Sequence, residues 1–297
     1  MALVELPKPK LRHFSALIRV KAAGVNPVDY KVRQGMFDGM MDAYFPVVPG
    51  WDVAGVVESV HYTSNEFTPG DEVIGYAWMD CLHHGSYAEY LCAPVRSLAR
   101  KPRNMTWEQA AGLPLAGLTA YRALKAIDVR RGATLLVHAA AGGVGSLGVQ
   151  IAKILGARVI GTASAGNHEF LRGLGVEPVA YGAGLAERVR ALAPDGVDGV
   201  VDFFGAGSLE ASMSLLAEGV GVQQMVTVAD RAHADEIGAR WTCVQPDAGD
   251  LSQLVAWAEQ GALTVHVSEV RPLADAVEVH RRMQREHGRG KTVLSVG

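Results

Sequence analysis

The sequence is poor in cysteine: Cys81, Cys92 and Cys243 are the only three among 297 residues, widely separated and without a C-x-x-C pair. An odd, scattered set excludes a disulfide framework and reads as free thiols in a reducing compartment. No apolar run reaches membrane-spanning length, and the N-terminus lacks a charged region followed by an apolar block, so neither insertion nor secretion is expected. Excess positive charge is missing too. A formal net charge of -3 leaves no global basic field for nucleic acid or anionic membrane. A cytoplasmic protein is expected, without repeats or low-complexity segments. What is plentiful is core material, 49% hydrophobic against 20% charged residues, in a length that suits about two domains.

The most informative stretch is Leu135-Leu136-Val137-His138, followed by Ala139 to Gly145. An apolar run of strand length breaks into small residues and re-emerges with Val144, Leu147, Ile151 and Leu155 at helical spacing. That is a strand, a tight turn and a helix, with room for a pyrophosphate on the helix N-terminus. Two frames fit: Gly143-x-Gly145-x-x-Gly148, and Ala140-x-Gly142-x-x-Gly145. The second begins where the strand ends and is preferred; it makes Ala140, Gly142, Gly143, Val144 and Gly145 the dinucleotide-binding set. A generic small-residue turn is the plainer alternative.

Before residue 134 the texture is mostly β. Short strands are expected over Ala16 to Val20, Val53 to Val60, Asp71 to Tyr76 and Tyr87 to Leu91. Thr106 and Gln109 have capping-box spacing, Pro114 interrupts, and a second helix is expected from about Leu118 to Lys125. From 134 onward strand and helix alternate, with strands near 134–139, 158–162, 177–181, 199–204, 222–228 and 240–244. A helix after Ser208 is expected to stop at Gly219, and another to span 249–260. Six strands with short crossovers are what a doubly wound parallel sheet requires, and that fold is expected. The tail then reads strand, helix and the strand Thr292 to Val296.

Six stretches match one family in order: Ala22 to Tyr30, Pro49 to Val57, Gly85 to Tyr90, Leu113 to Tyr121, the glycine turn, and Arg289 to Leu294. Over nearly its whole length the chain resembles the medium-chain dehydrogenase/reductase superfamily, in its zinc-independent quinone oxidoreductase branch. The resemblance implies an α/β fold: a GroES-like β domain over 1–108, completed by 262–297, with a Rossmann domain over 109–261 inserted and the site between them. It also implies a homodimer. In that family's alcohol dehydrogenases a cysteine and a histidine hold the catalytic zinc where this chain has Asn26 and Trp51, neither of them a plausible ligand. Cys81, His83 and His84 are a weak alternative, since adjacent histidines diverge and no fourth ligand is spaced to join them. No metal is expected.

Without a Lewis acid, hydride delivery to an already electrophilic acceptor remains open, namely a quinone or an α,β-unsaturated carbonyl. The resemblance places Asn26, Asp29 and Tyr30 beside nicotinamide and substrate, with Tyr30 suited to a developing oxyanion. The plainer reading is a helix-opening Asn-Pro turn and a packed tyrosine. Thr119 and Lys291 are further cofactor candidates, against a hydroxyl bonded within its helix and a solvated lysine. The second strand ends in Ala163-Ser164, where NAD-preferring proteins carry an acidic residue, and no carboxylate follows before Glu169. Ser164, His168 and Tyr181 are therefore assigned to a 2′-phosphate, with Phe204 joining the cofactor set; Arg172 reads as solvated. The cofactor expected is NADPH. A double-bond reductase acting on 2-alkenals, and an NADPH-binding sensor with little turnover, are the alternatives.

Two features stay outside that reading. Arg281, Arg282, Arg285, Arg289 and Lys291, interrupted by Glu286, suit a helix C-terminus and solvent better than nucleic acid. Ala2 to Pro7 resembles a segment that the family precedes with another strand, so an unpaired edge of the β domain is expected. Met36, Met40, Met41, Trp51 and Trp78 fit a substrate pocket and a core equally.

Overall fold

Every second residue of Ala16, Ile18 and Val20 enters one core, then Ala23 and Val25 enter another. The switch from even to odd follows from a register shift between Val20 and Ala22 in the pairing with the neighbouring strand. One extra residue turns all later side chains to the opposite face. This strand, β1 (Ser15–Val25), is paired on both sides: with Asp52–Val60 on one, and with Tyr90–Pro94 and then Lys291–Ser295 on the other.

The computed structural model describes residues 1–285 and 288–297, and Glu286 lies outside them. The chain divides into two compact units, Met1–Leu118 with Gln245–Gly297, and Thr119–Val244. The first unit continues with α1 (Pro27–Arg33), β2 (Asp42–Val48), β3 (Asp52–Val60), β4 (Glu72–Tyr76), β5 (Cys81–His84), β6 (Tyr90–Pro94), β7 (Leu98–Arg100) and α2 (Trp107–Ala111). The unit boundary falls within α3 (Pro114–Ala126).

The second unit holds β8 (Thr134–His138), α4 (Gly145–Ile154), β9 (Arg158–Thr162), α5 (His168–Gly173), β10 (Glu177–Val179), α6 (Leu185–Leu192), β11 (Gly199–Asp202), α7 (Ser208–Met213), β12 (Met225–Thr227), α8 (Arg231–Ile237) and β13 (Arg240–Trp241). The chain returns to the first unit with α9 (Ala248–Glu259), β14 (Val267–Pro272), α10 (Ala276–Met283) and β15 (Lys291–Ser295). Residues 109–118 and 245–261, which the sequence reading gave to the nucleotide domain, thus lie in the first unit. Asn104 Nδ2, for example, donates to Ala258 O at 2.8 Å.

The first unit's main sheet runs β14-β15-β1-β3-β4-β7, with β6 also on β1, and β2 pairs β5 separately. The second unit's sheet is parallel throughout, in the order β10-β9-β8-β11-β12-β13. Numbered from β8, that is 3-2-1-4-5-6, the doubly wound order expected. Its core joins Leu136, Ile160 and Val200 to Val189 and Leu209 from the covering helices.

Three expectations shift. The strand expected from Tyr87 begins at Tyr90, because Tyr87 lies buried in a bend where its ring packs against His280. The helix after Ser208 stops at Met213, not Gly219. Leu216 instead bridges Val197, and Leu215 is buried, so the chain leaves the helix to reach the sheet. Val222–Gln224 is a 3-10 turn, leaving β12 three residues. Thr106 does cap α2, accepting from Gln109 N while Gln109 Oε1 accepts from Thr106 N. In the basic tail Arg282 forks onto Glu269.

Candidate active site

Where β8 ends, Ala139 takes a φ of 53°, and the backbone turns so tightly that a Cβ on Gly145 would lie 2.1 Å from Ala139 O. Only glycine fits there. A Cβ on Gly142 would meet the same oxygen at 3.3 Å, a milder crowding. Ala140 is buried with its methyl against Gly161, and the ring of Phe203 lies against Gly148, so both glycine frames carry packing. The turn delivers the chain to the N-terminus of α4, where Ser146 N donates to Gly142 O at 2.9 Å and Leu147 N to Val144 O at 3.2 Å, and where the helix dipole favours an anion.

Buried polar groups hold the turn in place. Ala139 N–H donates to Thr162 Oγ1 at 3.2 Å, and that hydroxyl lies 3.3 Å from His138 Nδ1. His138 Nε2 lies 2.7 Å from Ser212 Oγ, which donates onward to Ser208 O at 2.9 Å. For a neutral imidazole, the arrangement of protons that satisfies every link puts the His138 proton on Nε2, with Thr162 Oγ1 donating to Nδ1. Burial, which lowers its pKa, favours the same state. Beside it Asp202 accepts from Phe204 N, Gly205 N, Ser208 Oγ and Thr227 Oγ1 at 2.6–3.1 Å. His138 and Asp202 end β8 and β11, the adjacent strands where the order reverses, which is where open α/β sheets bind ligands. Sequence reasoning did not single these residues out; their signal was a polar residue ending an otherwise apolar strand.

Ser164, His168 and Tyr181 follow the paired ends of β9 and β10. Ser164 is exposed and receives Asn167 Nδ2 at 3.1 Å, while His168 Nε2 lies 3.3 Å from Ala163 O. Tyr181 is exposed, on a loop whose carbonyls from Ala180 to Ala183 all accept from Arg188. Phe204, just past β11, is 53% exposed, and Thr119 is buried in α3.

In the first unit Asn26, Asp29 and Lys291 come together with two residues the sequence reading passed over, Asp52 and Tyr87. Asn26 caps α1, with Pro27 in the first helical position and Asp29 in the third. Asp29 Oδ2 accepts from Asn26 N at 2.7 Å and from Tyr87 OH at 2.9 Å. The Asn26 side chain turns to charge: Lys291 Nζ donates to its Oδ1, and its Nδ2 donates to Asp52 Oδ2 at 2.9 Å. Lys291 also donates to Val25 O and lies 3.6 Å from Asp52 Oδ2. Asp52 Oδ1 takes Leu115 N–H at 2.7 Å, in the first turn of α3.

All of these groups are buried. Burial raises the pKa of Asp29 to about 7, against its bonds to Asn26 and Tyr87, which lower it. Burial also raises Asp52 and lowers Lys291, and each one's charge opposes the other's shift. Tyr87 is pushed well above its usual value by burial and by the Asp29 charge. His280, 3.4 Å from Tyr87 OH, falls to about 4 by burial, then by the Arg33 charge. Tyr30 is half-buried on α1. Asp52 stands inside one of the six family stretches, and no sequence signal pairs it with Lys291, for which the sequence offers a solvated or a cofactor-facing role.

Among the described residues no group of three or more His, Cys, Asp or Glu side chains could hold a metal ion, and no helix is long and apolar enough to cross a membrane. Residues 13–103 match the alcohol dehydrogenase GroES-like domain, and residues 174–294 the zinc-binding dehydrogenase model. The chain is 35% identical over 295 residues to the chloroplastic NADPH-dependent alkenal/one oxidoreductase of Arabidopsis thaliana, covering 96% of this chain and 73% of that one. The chain belongs to the medium-chain dehydrogenase/reductase superfamily.

It is also 39% identical over 221 residues to the 2-methylene-furan-3-one reductase of Solanum lycopersicum, covering 72% of this chain and only 55% of that protein's length. Among solved structures, the quinone oxidoreductase from Coxiella burnetii superposes with a TM-score of 0.85 at 32% identity, over 99% of this chain and 94% of that one. In this chain Asn26 and Trp51 are both committed within the first unit. The amide of Asn26 is engaged at both ends by Lys291 and Asp52, and Trp51 is an edge-packed ring between Phe37 and Tyr76.

Proposed function

We propose that the chain is an NADPH-dependent, zinc-independent reductase of quinones or α,β-unsaturated carbonyls. The observation that carries this reading is the Asn26 amide, bonded at both ends, together with the packed Trp51 indole, at the two positions where the resemblance puts the zinc ligands of the family's zinc enzymes. The donor set suits an acceptor whose own conjugation spreads the incoming charge. The activities named for the Arabidopsis and Coxiella relatives support the same substrate class.

NADPH, when bound, supplies the hydride. The turn from Ala140 through Gly142, Gly143 and Val144 to Gly145 would take its pyrophosphate, and the close approach at Gly145 fits that role. Ser164, His168 and Tyr181 would receive the 2′-phosphate, at a strand end with no carboxylate to repel it. Thr119, Phe204, Asn26 and Lys291 would complete the cofactor's surroundings. Tyr30 would bond the developing oxyanion, and Asp29, turned inward onto Asn26 N–H and Tyr87, would set the position of α1. A cytoplasmic homodimer completes the proposal, consistent with three free cysteines.

The test follows NADPH oxidation at its near-UV absorbance with an o-quinone and then a 2-alkenal. Turnover on either supports the proposal; turnover on alkenals alone narrows it to double-bond reduction. Binding without turnover on a broad panel replaces it with a sensor. Tighter binding of NADH than NADPH would overturn the cofactor assignment.

A further inference from the structure

The first unit contains a second concavity that the proposed chemistry does not use. It has a volume of about 560 Å³, inside the size range of small-molecule sites. Leu6, Pro7, Pro9 and Pro46 make its apolar wall. Every titratable side chain on the rest of the wall is basic: Lys8, Lys10, Arg12, His83 and His84.

These groups differ in how far they are already satisfied. Lys8 is paired with Glu58 and sits over the Tyr90 ring. Lys10 makes no hydrogen bond or ion pair among the described residues, and the Arg12 guanidinium contacts only the sulfur of Met79, at 3.4 Å. Two cations therefore face this space without a carboxylate. His83 and His84, expected from their adjacency to diverge, instead stack with ring centroids 3.6 Å apart, and His83 Nδ1 is fixed 2.8 Å from Tyr44 O. His84 is held below its usual pKa by burial, then by the charges of His83 and Arg12. Its neighbours supply positive potential and no negative partner.

An uncompensated positive end beside a wall of proline and leucine matches a ligand that is itself divided into an apolar body and an anionic head. Arg12 and Lys10 would take the head, Arg as a fork suited to a carboxylate. The apolar body would lie along Leu6 and Pro46 and leave water. We infer that this basin, bounded by the segment from Leu6 to Arg12 and the end of β5, is a binding site for a medium-chain carboxylate. It is separate from the residues proposed for NADPH and substrate.

The experiment is calorimetric titration of the full chain, saturated with NADPH so that the nucleotide site cannot take the probe. Decanoate is expected to bind one per chain and saturably, at least about ten-fold more tightly than decanol or decyltrimethylammonium. The double variant Lys10→Ala/Arg12→Ala should weaken decanoate about ten-fold or more while leaving decanol binding and the melting temperature unchanged, since both side chains are exposed. Pro46→Asp, which puts a like charge on the apolar wall, should weaken it too. Equal binding of decanoate and decanol, or full decanoate affinity in the double variant, would overturn the inference. An affinity that falls as NADPH rises would do the same, by placing the carboxylate in the nucleotide site.

Discussion

Each unit buries a polar cluster where its function is proposed, and the two are stabilised differently. Under the nucleotide turn, one carboxylate, Asp202, is met by donors from its own loop, from α7 and from β12, and His138 is neutral with both nitrogens used. Beside α1, two carboxylates and an ammonium share a dry space in which charge must be cancelled by charge. A cluster balanced by hydrogen bonds loses one bond at a time. A cluster balanced by opposite charges fails at once when one member leaves, because a lone buried ion is far more costly than a missing hydrogen bond.

The largest expected difference follows from that contrast. Lys291→Met should destabilise the chain by about 3–5 kcal/mol in urea denaturation, since Asp52 is left uncompensated. Asp52→Asn added to it should recover part of the loss. If Lys291→Met costs under about 1 kcal/mol, the ammonium is not what keeps Asp52 buried. In the other cluster Asp202→Ala, which strands several donors at once, should cost about 2–3 kcal/mol and Asp202→Asn less. A larger loss there than at Lys291 would reverse the comparison.

Next comes the turn itself. Gly145→Ala places a methyl 2.1 Å from Ala139 O and should weaken NADPH binding by more than about ten-fold, whereas Gly142→Ala, at 3.3 Å, should change it only about two- to three-fold. A bulky Gly142→Phe should abolish binding and leave the first unit folded. Equal losses for the two alanine variants would show that the turn can relax.

The smallest effect is a pH dependence. Asp29, raised to about 7 from 3.8, holds a proton that the unfolded chain has lost, so its contribution to stability falls as pH rises from about 4 to about 7. His280, lowered to about 4 from 6.5, has the opposite sign, and its contribution rises from about pH 4 to 6.5. In the parent the two offset. Asp29→Asn should therefore leave a melting temperature that climbs over that window, and His280→Gln one that declines; parallel curves for all three proteins would refute both assignments.

What could be read from sequence follows from range of interaction. The parallel unit announces itself locally: each strand is a short apolar run, each helix has its own period, and the tight turn must be built of small residues. β8, β9 and β11 begin where expected; β12 starts late, after the 3-10 turn Val222–Gln224, and α7 ends early, because Leu215 and Leu216 keep helical spacing while serving the sheet. The charged cluster draws on positions 26, 29, 52, 87, 280 and 291, and no spacing rule links Lys291 to an asparagine 265 residues away. Asn26 and Asp29 were found by resemblance, and their partners needed coordinates.

The pairing of β15 with β1 also bears on the order of assembly. All six strands of the parallel sheet have been made once residue 241 is added, but Ala22–Val25 of β1 keeps one flank open until residues 291–295 follow. The unit that starts first is finished last, and the lysine that cancels the charge of Asp52 comes with the final strand. A nascent chain must therefore hold that end of β1, with Asp29 and Asp52, uncommitted until β15 is made, an interval in which binding by a chaperone would protect the open flank.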